Sequence, residues 1–377
     1  MTDNFIYLNN SATSWPKPPC VAEAVSKALT ERPGSAQRAG IEDFDVFDEV
    51  RKQMSKILGV NAHDHIALGS NATMGLNMAL FGYPFNKGDT VVTSKSEHNS
   101  VLRPLFALEQ RGIIKVIYVD TDSYGRILTD NWKDAIAQYK PKLAVLIHAS
   151  NVTGTVNNAA ALAGAAKDAG AHVLVDVSQT CGWEKIEADN WSLDMVAFTG
   201  HKYLLGPQGT GGLYVRPGLK LNPHFIGGTG SFSDLSVMPE EMPKRLEAGT
   251  GNEPAFYGLL AALNWAKQNP PDYSEQDEKL NAIRQGLKEA GADVLVPDGK
   301  SIPTVSFNIP GLTPNETAYI LTESYDIICR SGLHCAPRIF DCIGRQGGTV
   351  RLSASRFTTL SEIEGAVNAV RDICNAV

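Results

Sequence analysis

Cysteine is scarce in this sequence. There are six, at positions 20, 181, 329, 335, 342 and 374, and no two form a CxxC pair. In a chain of this length such scatter argues against both a disulfide frame and a zinc site, so reduced thiols in a cytoplasmic protein are expected. Basic clusters are absent too. The formal net charge is −7 and no basic block interrupts it, so nucleic acid is not expected as a partner; phosphate backbones need a cationic face. No apolar run reaches membrane-spanning length, and the opening MTDNFIYLNN lacks the charged-then-apolar layout of a secretory leader. Repeats and low-complexity segments are missing as well. What is present is a chain of 377 residues, 43% of them hydrophobic, long enough for a large core and for two domains. Composition therefore points to a soluble intracellular protein, an enzyme by class.

From about residue 45 to residue 215, short apolar runs alternate with helical patterns. The strand candidates are HIALGS (65–70), DTVVTS (89–94), KVIYVD (115–120), LAVLIHAS (143–150), HVLVDVS (172–178) and MVAFTG (195–200), with GGLYV following a glycine-rich turn. Helical stretches such as AALAGAAKDAG lie between them. Continuous Val/Ile/Leu strands separated by helices predict an α/β fold with a mostly parallel sheet covered on both faces. The rest of the chain has a different character. A long helix at 253–268 and the break NPPDYS precede a helix at 275–290, strands ADVLV and PTVSFNI, a helix at 314–325, strands DIICRS and GTVRLSAS, and a last helix at 360–376. The expected division is a large domain at 15–255 and a smaller α+β domain from 1–14 with 256–377. The N-terminal helix PPCVAEAVSKALTE is a candidate to return to the smaller unit.

In such sheets ligands sit beyond the C-terminal strand ends. This places Ser70–Thr73, Ser96–His98, His148–Asn151, Asp176–Gln179 and Thr199–Lys202 on one rim. Taken alone, Lys202 reads as a surface lysine beside a turn. Yet it follows an apolar strand and precedes glycines 206, 209, 211 and 212, which permit close backbone approach. A lysine of depressed pKa there can form an imine with a carbonyl. Asp176, at the end of a buried strand, needs a partner. That partner is either a local cap or salt bridge, or the cationic ring nitrogen of pyridoxal phosphate. GSNATMGLNMALFG offers a strand, a small polar turn and a helix start at Ala72 and Thr73, an anion seat although any capped helix looks similar. Thr199 and His201 add hydroxyl and imidazole donors. His98 in SEHNS is either an ordinary strand-end histidine or a ring that stacks on a flat cofactor.

The ordered set SNAT, SEHN, HASNVTGT, DVSQ, TGHK, EAGTGN and RSGLHC resembles the pyridoxal-phosphate-dependent cysteine desulfurase and selenocysteine lyase family, of the class V aminotransferase-like, fold type I enzymes. The likeness runs from YLNNSATSWPKP to TVRLSASRFTT, essentially the whole chain, and follows the branch with a short R-x-G-x-H-C segment. It implies that Lys202 holds the cofactor through its amine and moves the substrate α-proton. Asp176 would pair with the pyridine nitrogen, Gln179 with the phenolic oxygen, and His98 would stack on the ring. Ala72 (through its N–H), Thr73, Thr199 and His201 would bind phosphate, with Thr250 reaching the neighbouring subunit's phosphate in a homodimer. Asn151 and Arg351 would hold the substrate carboxylate.

Cys335 by itself reads as a small buried hydrophobe. In RSGLHCAPRIFDCIG the resemblance makes it the thiol that carries away substrate sulfur as a persulfide, with Arg330, His334 and Arg338 near in sequence to favour the thiolate. Cys342 is the rival, but nothing around it matches. The sequence departs from the family pattern at Asn9, Met74, Val177–Ser178 and Gly251, none of which carries a cofactor contact in this scheme. The implied reaction converts L-cysteine to L-alanine, with a sulfur-acceptor protein as a further partner. The alternatives are selenocysteine lyase, cysteine or cystine C–S lyase, and a plain aminotransferase. No metal is expected.

Overall fold

The computed structural model of the chain describes residues 5–31, 44–231 and 233–377. The described chain opens with a short strand, β1 (Ile6–Tyr7). Strands β2 (Ile66–Gly69), β3 (Asp89–Ser94), β4 (Ile114–Val119), β5 (Leu143–Ile147), β6 (His172–Asp176), β7 (Met195–Thr199) and β8 (Gly211–Val215) make one sheet, ordered β2-β8-β7-β6-β5-β3-β4. Only β8 runs against its neighbours; β2 points the same way as the parallel strands. Because β7 and β8 are antiparallel neighbours, the chain returns through a loop instead of a crossover helix. That loop carries His201 and Lys202.

The apolar runs are continuous because both faces of the sheet are covered. Val173, Val175, Val196 and Phe198 enter one core. The alternating residues Leu174, Met195, Ala197 and Leu213 enter the core on the opposite face. Each buried Val, Leu, Met or Phe side chain contributes about 1.5–3 kcal/mol relative to exposure. The glycines around the lysine loop have a packing reason. A Cβ at Gly211 would stand 2.6 Å from Asn71 Cα and 2.7 Å from the Phe198 carbonyl, and one at Gly200 would collide with Thr210 Oγ1. Their absence lets the Asn71 turn and the lysine loop close on the sheet edge.

A second, antiparallel sheet contains β9 (Asp293–Val294), β10 (Thr304–Asn308), β12 (Arg330–Gly332) and β13 (Thr349–Ser353), ordered β12-β13-β10-β9. The intervening β11 (Ile327–Ile328) instead pairs in parallel with β1. The single strand expected over DIICRS is therefore broken at Cys329: its first half joins the N-terminal segment and its second half joins β13. This register sets Arg330 directly opposite Arg351. Helices Tyr273–Glu289 and Leu360–Ala376 cover the sheet with Leu280, Ile283, Leu287, Val367 and Val370 against Phe307, Val350 and Leu352. The N-terminal helix Pro19–Thr30 runs along helix Glu253–Gln268, where Val21, Leu205 and Ala262 share a cluster. All six cysteines are free. Among the described residues no helix is long and apolar enough to cross a membrane.

Candidate active site

A cavity of about 270 Å³ opens at the C-terminal ends of β2, β3, β5, β6 and β7. Ala72, Thr73, His98, Asn151, Asp176, Gln179, Thr199, His201, Lys202 and Arg351 all line it, joined by Arg330 and by Ser11 and Ala12 of the N-terminal segment. Other residues of the same rim turn away: Ser96 Oγ donates to the Gly125 carbonyl and His148 Nδ1 meets Thr180 Oγ1. Thr250 is exposed in the loop before helix Glu253–Gln268 and does not line the cavity of its own chain.

The amine of Lys202 lies deep in protein. Desolvation, with Arg351 and Arg330 nearby, lowers its pKa to about 8 against the opposing pull of Asp176. Asp176 is buried, which raises its pKa, while Ser178 donates to Oδ1 through both N–H and Oγ and holds the rise down. Both bonds fall on Oδ1, leaving Oδ2 uncommitted. Burial and neighbouring cations take His98 to about 3 and His201 to about 4, so both rings are neutral at physiological pH. Arg351 is 1% exposed, donates to the Asn151 carbonyl at 2.8 Å and to Asn9 Oδ1 at 3.1 Å, and has its pKa lowered to about 10, first by burial and then by Arg330. Asn9 is neutral, so this contact orients the guanidinium without cancelling its charge. Three cationic side chains thus face one carboxylate on the cavity wall, an arrangement that favours an anionic ligand.

The helix Ala72–Gly82 begins at the cavity. Asn71 Oδ1 accepts the Met74 N–H, leaving those of Ala72 and Thr73 without an intrahelical acceptor. Around the cavity Asn151 Oδ1, Gln179 Oε1, His201 Nδ1 and Arg351 Nε are buried without a partner. Buried polar atoms are normally paired. Arg351 Nε and the free N–H groups of Ala72 and Thr73 fit an anionic group, and Lys202, without a carboxylate partner among the described residues, fits an aldehyde; the orphan amide oxygens accept only from a ligand donor.

Cys335 sits beside this cavity, with Arg330 Nη2 donating to its Sγ at 3.0 Å. His334 and Cys335 have φ of +48° and +59°, left-handed backbone that costs a non-glycine residue about 1–2 kcal/mol. Four contacts hold it there. Asn99 N–H donates to the Cys335 carbonyl at 2.6 Å, and Asn151 Nδ2 donates to the His334 carbonyl at 2.7 Å. His334 Nε2 meets Thr349 Oγ1 at 2.9 Å, and the Arg338 guanidinium stacks 3.8 Å over the Tyr118 ring. The thiol is presented by a braced turn. His334 is buried with its pKa well below the ordinary value, chiefly by desolvation, and Arg338 stacks on Tyr118, so the cation in contact with the thiol is Arg330. Cys342 lies elsewhere, near Asp120 at 3.9 Å.

A family model for class-V aminotransferases matches residues 6–365. The chain belongs to the class-V aminotransferase family. It is 30% identical to a probable cysteine desulfurase of Pyrococcus abyssi, over 100% of this chain and 96% of that one. It is 31% identical to a cysteine desulfurase of Bradyrhizobium diazoefficiens, over 98% and 94% of the two chains. The fold is similar to that of the cysteine desulfurase of Thermococcus onnurineus, with a TM-score of 0.90 at 30% identity and coverage of 100% and 96%. It is also similar to the cysteine desulfurase CsdA of Escherichia coli, with a TM-score of 0.87 at 25% identity and the same coverage.

Several participants carried no usable sequence signal. Ser100 bridges Thr73 and His98, and Ser178 serves Asp176; a lone serine announces neither role. The carbonyl between His201 and Lys202 accepts from the Ser14 N–H at 3.0 Å and from Lys17 Nζ at 2.9 Å. The N-terminal segment thereby clamps the peptide next to Lys202. The SWPKP stretch lies within the family likeness, but nothing local in it marks its reach across the fold.

Proposed function

We propose that the protein is a pyridoxal-phosphate-dependent cysteine desulfurase that converts L-cysteine to L-alanine and takes the sulfur onto Cys335. The observation that carries this reading is the cavity itself: a desolvated lysine and two arginines that, among the described residues, no carboxylate pairs with, around one buried carboxylate, with a braced cysteine at the edge. Bound in this cavity, pyridoxal phosphate supplies an electron sink for bond breaking at the substrate α-carbon.

The remaining work falls to side chains. Lys202 holds the cofactor and later, as a neutral amine, accepts and returns the α-proton. Asp176, whose charged form the two donors of Ser178 favour against burial, serves the ring nitrogen; Gln179 serves the phenolic oxygen, and His98 the ring face. The free N–H of Ala72, the hydroxyls of Thr73 and Thr199 and the imidazole of His201 hold the phosphate. Arg351, with Asn151, binds the substrate carboxylate. Cys335, beside Arg330, attacks the cysteine sulfur through its Sγ. The carbon–sulfur bond breaks, its electrons return to the amino-acid skeleton, a proton is taken up, and alanine leaves with a persulfide on Cys335. A sulfur-acceptor protein would empty that persulfide. The same reading takes the enzyme as a cytoplasmic homodimer in which Thr250 reaches the neighbouring subunit's phosphate. Residues 15–255 form its cofactor domain, and 1–14 with 256–377 form the smaller one.

Product analysis tests the reaction. Alanine from L-cysteine, with persulfide on the protein, supports it. Pyruvate and ammonia indicate a C–S lyase, a keto-acid product an aminotransferase, and turnover of selenocysteine alone a selenocysteine lyase.

A further inference from the structure

Ser100 lies in the first turn of helix Asn99–Gln110, buried, on the cavity wall. Its Oγ is 2.7 Å from Thr73 Oγ1 and 2.8 Å from His98 Nδ1, and its N–H donates to the same Nδ1 at 3.1 Å. Three cavity residues from two strand ends are thus linked in a chain with two hydroxyl protons to place.

An imidazole Nδ1 has one in-plane lone pair. The backbone N–H of Ser100 cannot be turned away, so Nδ1 is an acceptor and the neutral ring carries its proton on Nε2. The hydroxyl protons then have two arrangements. In the first, Thr73 donates to Ser100 and Ser100 to Nδ1. Two donors then crowd one lone pair, and Thr73 shows the cavity only lone pairs. In the second, Ser100 donates to Thr73, Nδ1 keeps the backbone donor, and the Thr73 hydroxyl is free to donate outward. A bound anion stabilises the second arrangement, and each donor polarises the next.

We infer that Ser100 is a positioning residue of the anion seat: it donates to Thr73 Oγ1 so that Thr73 donates to the bound phosphate, while its N–H fixes the His98 tautomer. This rests on the reading of the cavity as a pyridoxal phosphate site. The test compares pyridoxal phosphate with pyridoxal, which has the same ring and aldehyde but no phosphate, by titrating each into cofactor-stripped enzyme. Ser100→Ala should raise the Kd for pyridoxal phosphate about five- to tenfold, the worth of one neutral hydrogen bond, and leave that for pyridoxal unchanged. Ser100→Thr keeps the hydroxyl and should restore the wild-type value. Ser100→Ala in a Thr73→Ala background should add nothing. An unchanged Kd for pyridoxal phosphate, an equal loss for both ligands, or additive effects of the two substitutions would each overturn the inference. Wild-type enzyme that binds neither ligand would instead overturn the cofactor reading beneath it.

Discussion

Replacing Arg351 by lysine keeps the charge and removes the fork. Arg351 is fully buried in β13, and two of its nitrogens are spent on the Asn151 carbonyl and Asn9 Oδ1. Among the described residues no carboxylate pairs with it, so its charge is available to a ligand. A substrate carboxylate would take two charge-assisted bonds, and a lysine ammonium can replace one of them. Losing the other costs about 1.5–3 kcal/mol. At about 1.4 kcal/mol per decade, kcat/KM for L-cysteine should fall about 10- to 150-fold. The loss should fall on KM, because the contact is made equally in ground and transition states. Steady-state alanine formation gives the split, and the cofactor's visible absorbance reports whether the site is intact. Cysteamine, which lacks the carboxylate, is the control. An unchanged KM for cysteine, or an equal loss of binding for cysteine and cysteamine, would refute the assignment of Arg351 to the carboxylate.

Cys335→Ala should keep the cofactor's absorbance and lose persulfide formation from cysteine; thiol labelling followed by mass measurement checks it, and a variant that still carries sulfur on another residue moves the role elsewhere. With Lys202 at about 8, the neutral amine is a minority species below that pH. The rate of cofactor incorporation into stripped enzyme should climb about tenfold per pH unit up to about 8 and then level. A climb that continues toward the ordinary lysine value of 10.5 would contradict the depressed pKa. Gly211→Ala puts a methyl 2.6 Å from Asn71 Cα and should destabilise the chain by on the order of 1–3 kcal/mol while displacing the Asn71 turn. Denaturant melts and cofactor affinity measure the two effects, and a variant unchanged in both would show that the turn does not depend on that approach.

Much of the main sheet was legible because a strand buried on both faces must be apolar throughout. LAVLI, HVLVD and MVAFT have that form, and all become strands of the main sheet. Rim positions followed from where such runs end. Strand direction did not follow, since GGLYV is apolar whichever way it runs; its reversal depends on pairing with both β2 and β7. The break at Cys329 was hidden for a similar reason: DIICRS serves two sheets, and nothing local marks the change of partner. At the site, the residues with strong chemistry could be picked out, while the serines and asparagines that orient them could not. Asn9 and Ser100 act through contacts between distant segments, and Ser178 through an N–H and a hydroxyl turned back on Asp176, and none of these leaves a distinctive spacing pattern. Asn9 and Ser178 stand where the family commonly has other residues, and the structure gives both a task, on Arg351 and on Asp176.

The most direct measurement is the position of the cofactor bond. Enzyme loaded with pyridoxal phosphate, reduced with borohydride and digested, should yield one modified peptide, with the added mass on Lys202. Asp176→Asn should weaken that loading without moving its position. Modification at another lysine, or none at all after loading under conditions where the enzyme turns over cysteine, would contradict the account at its root.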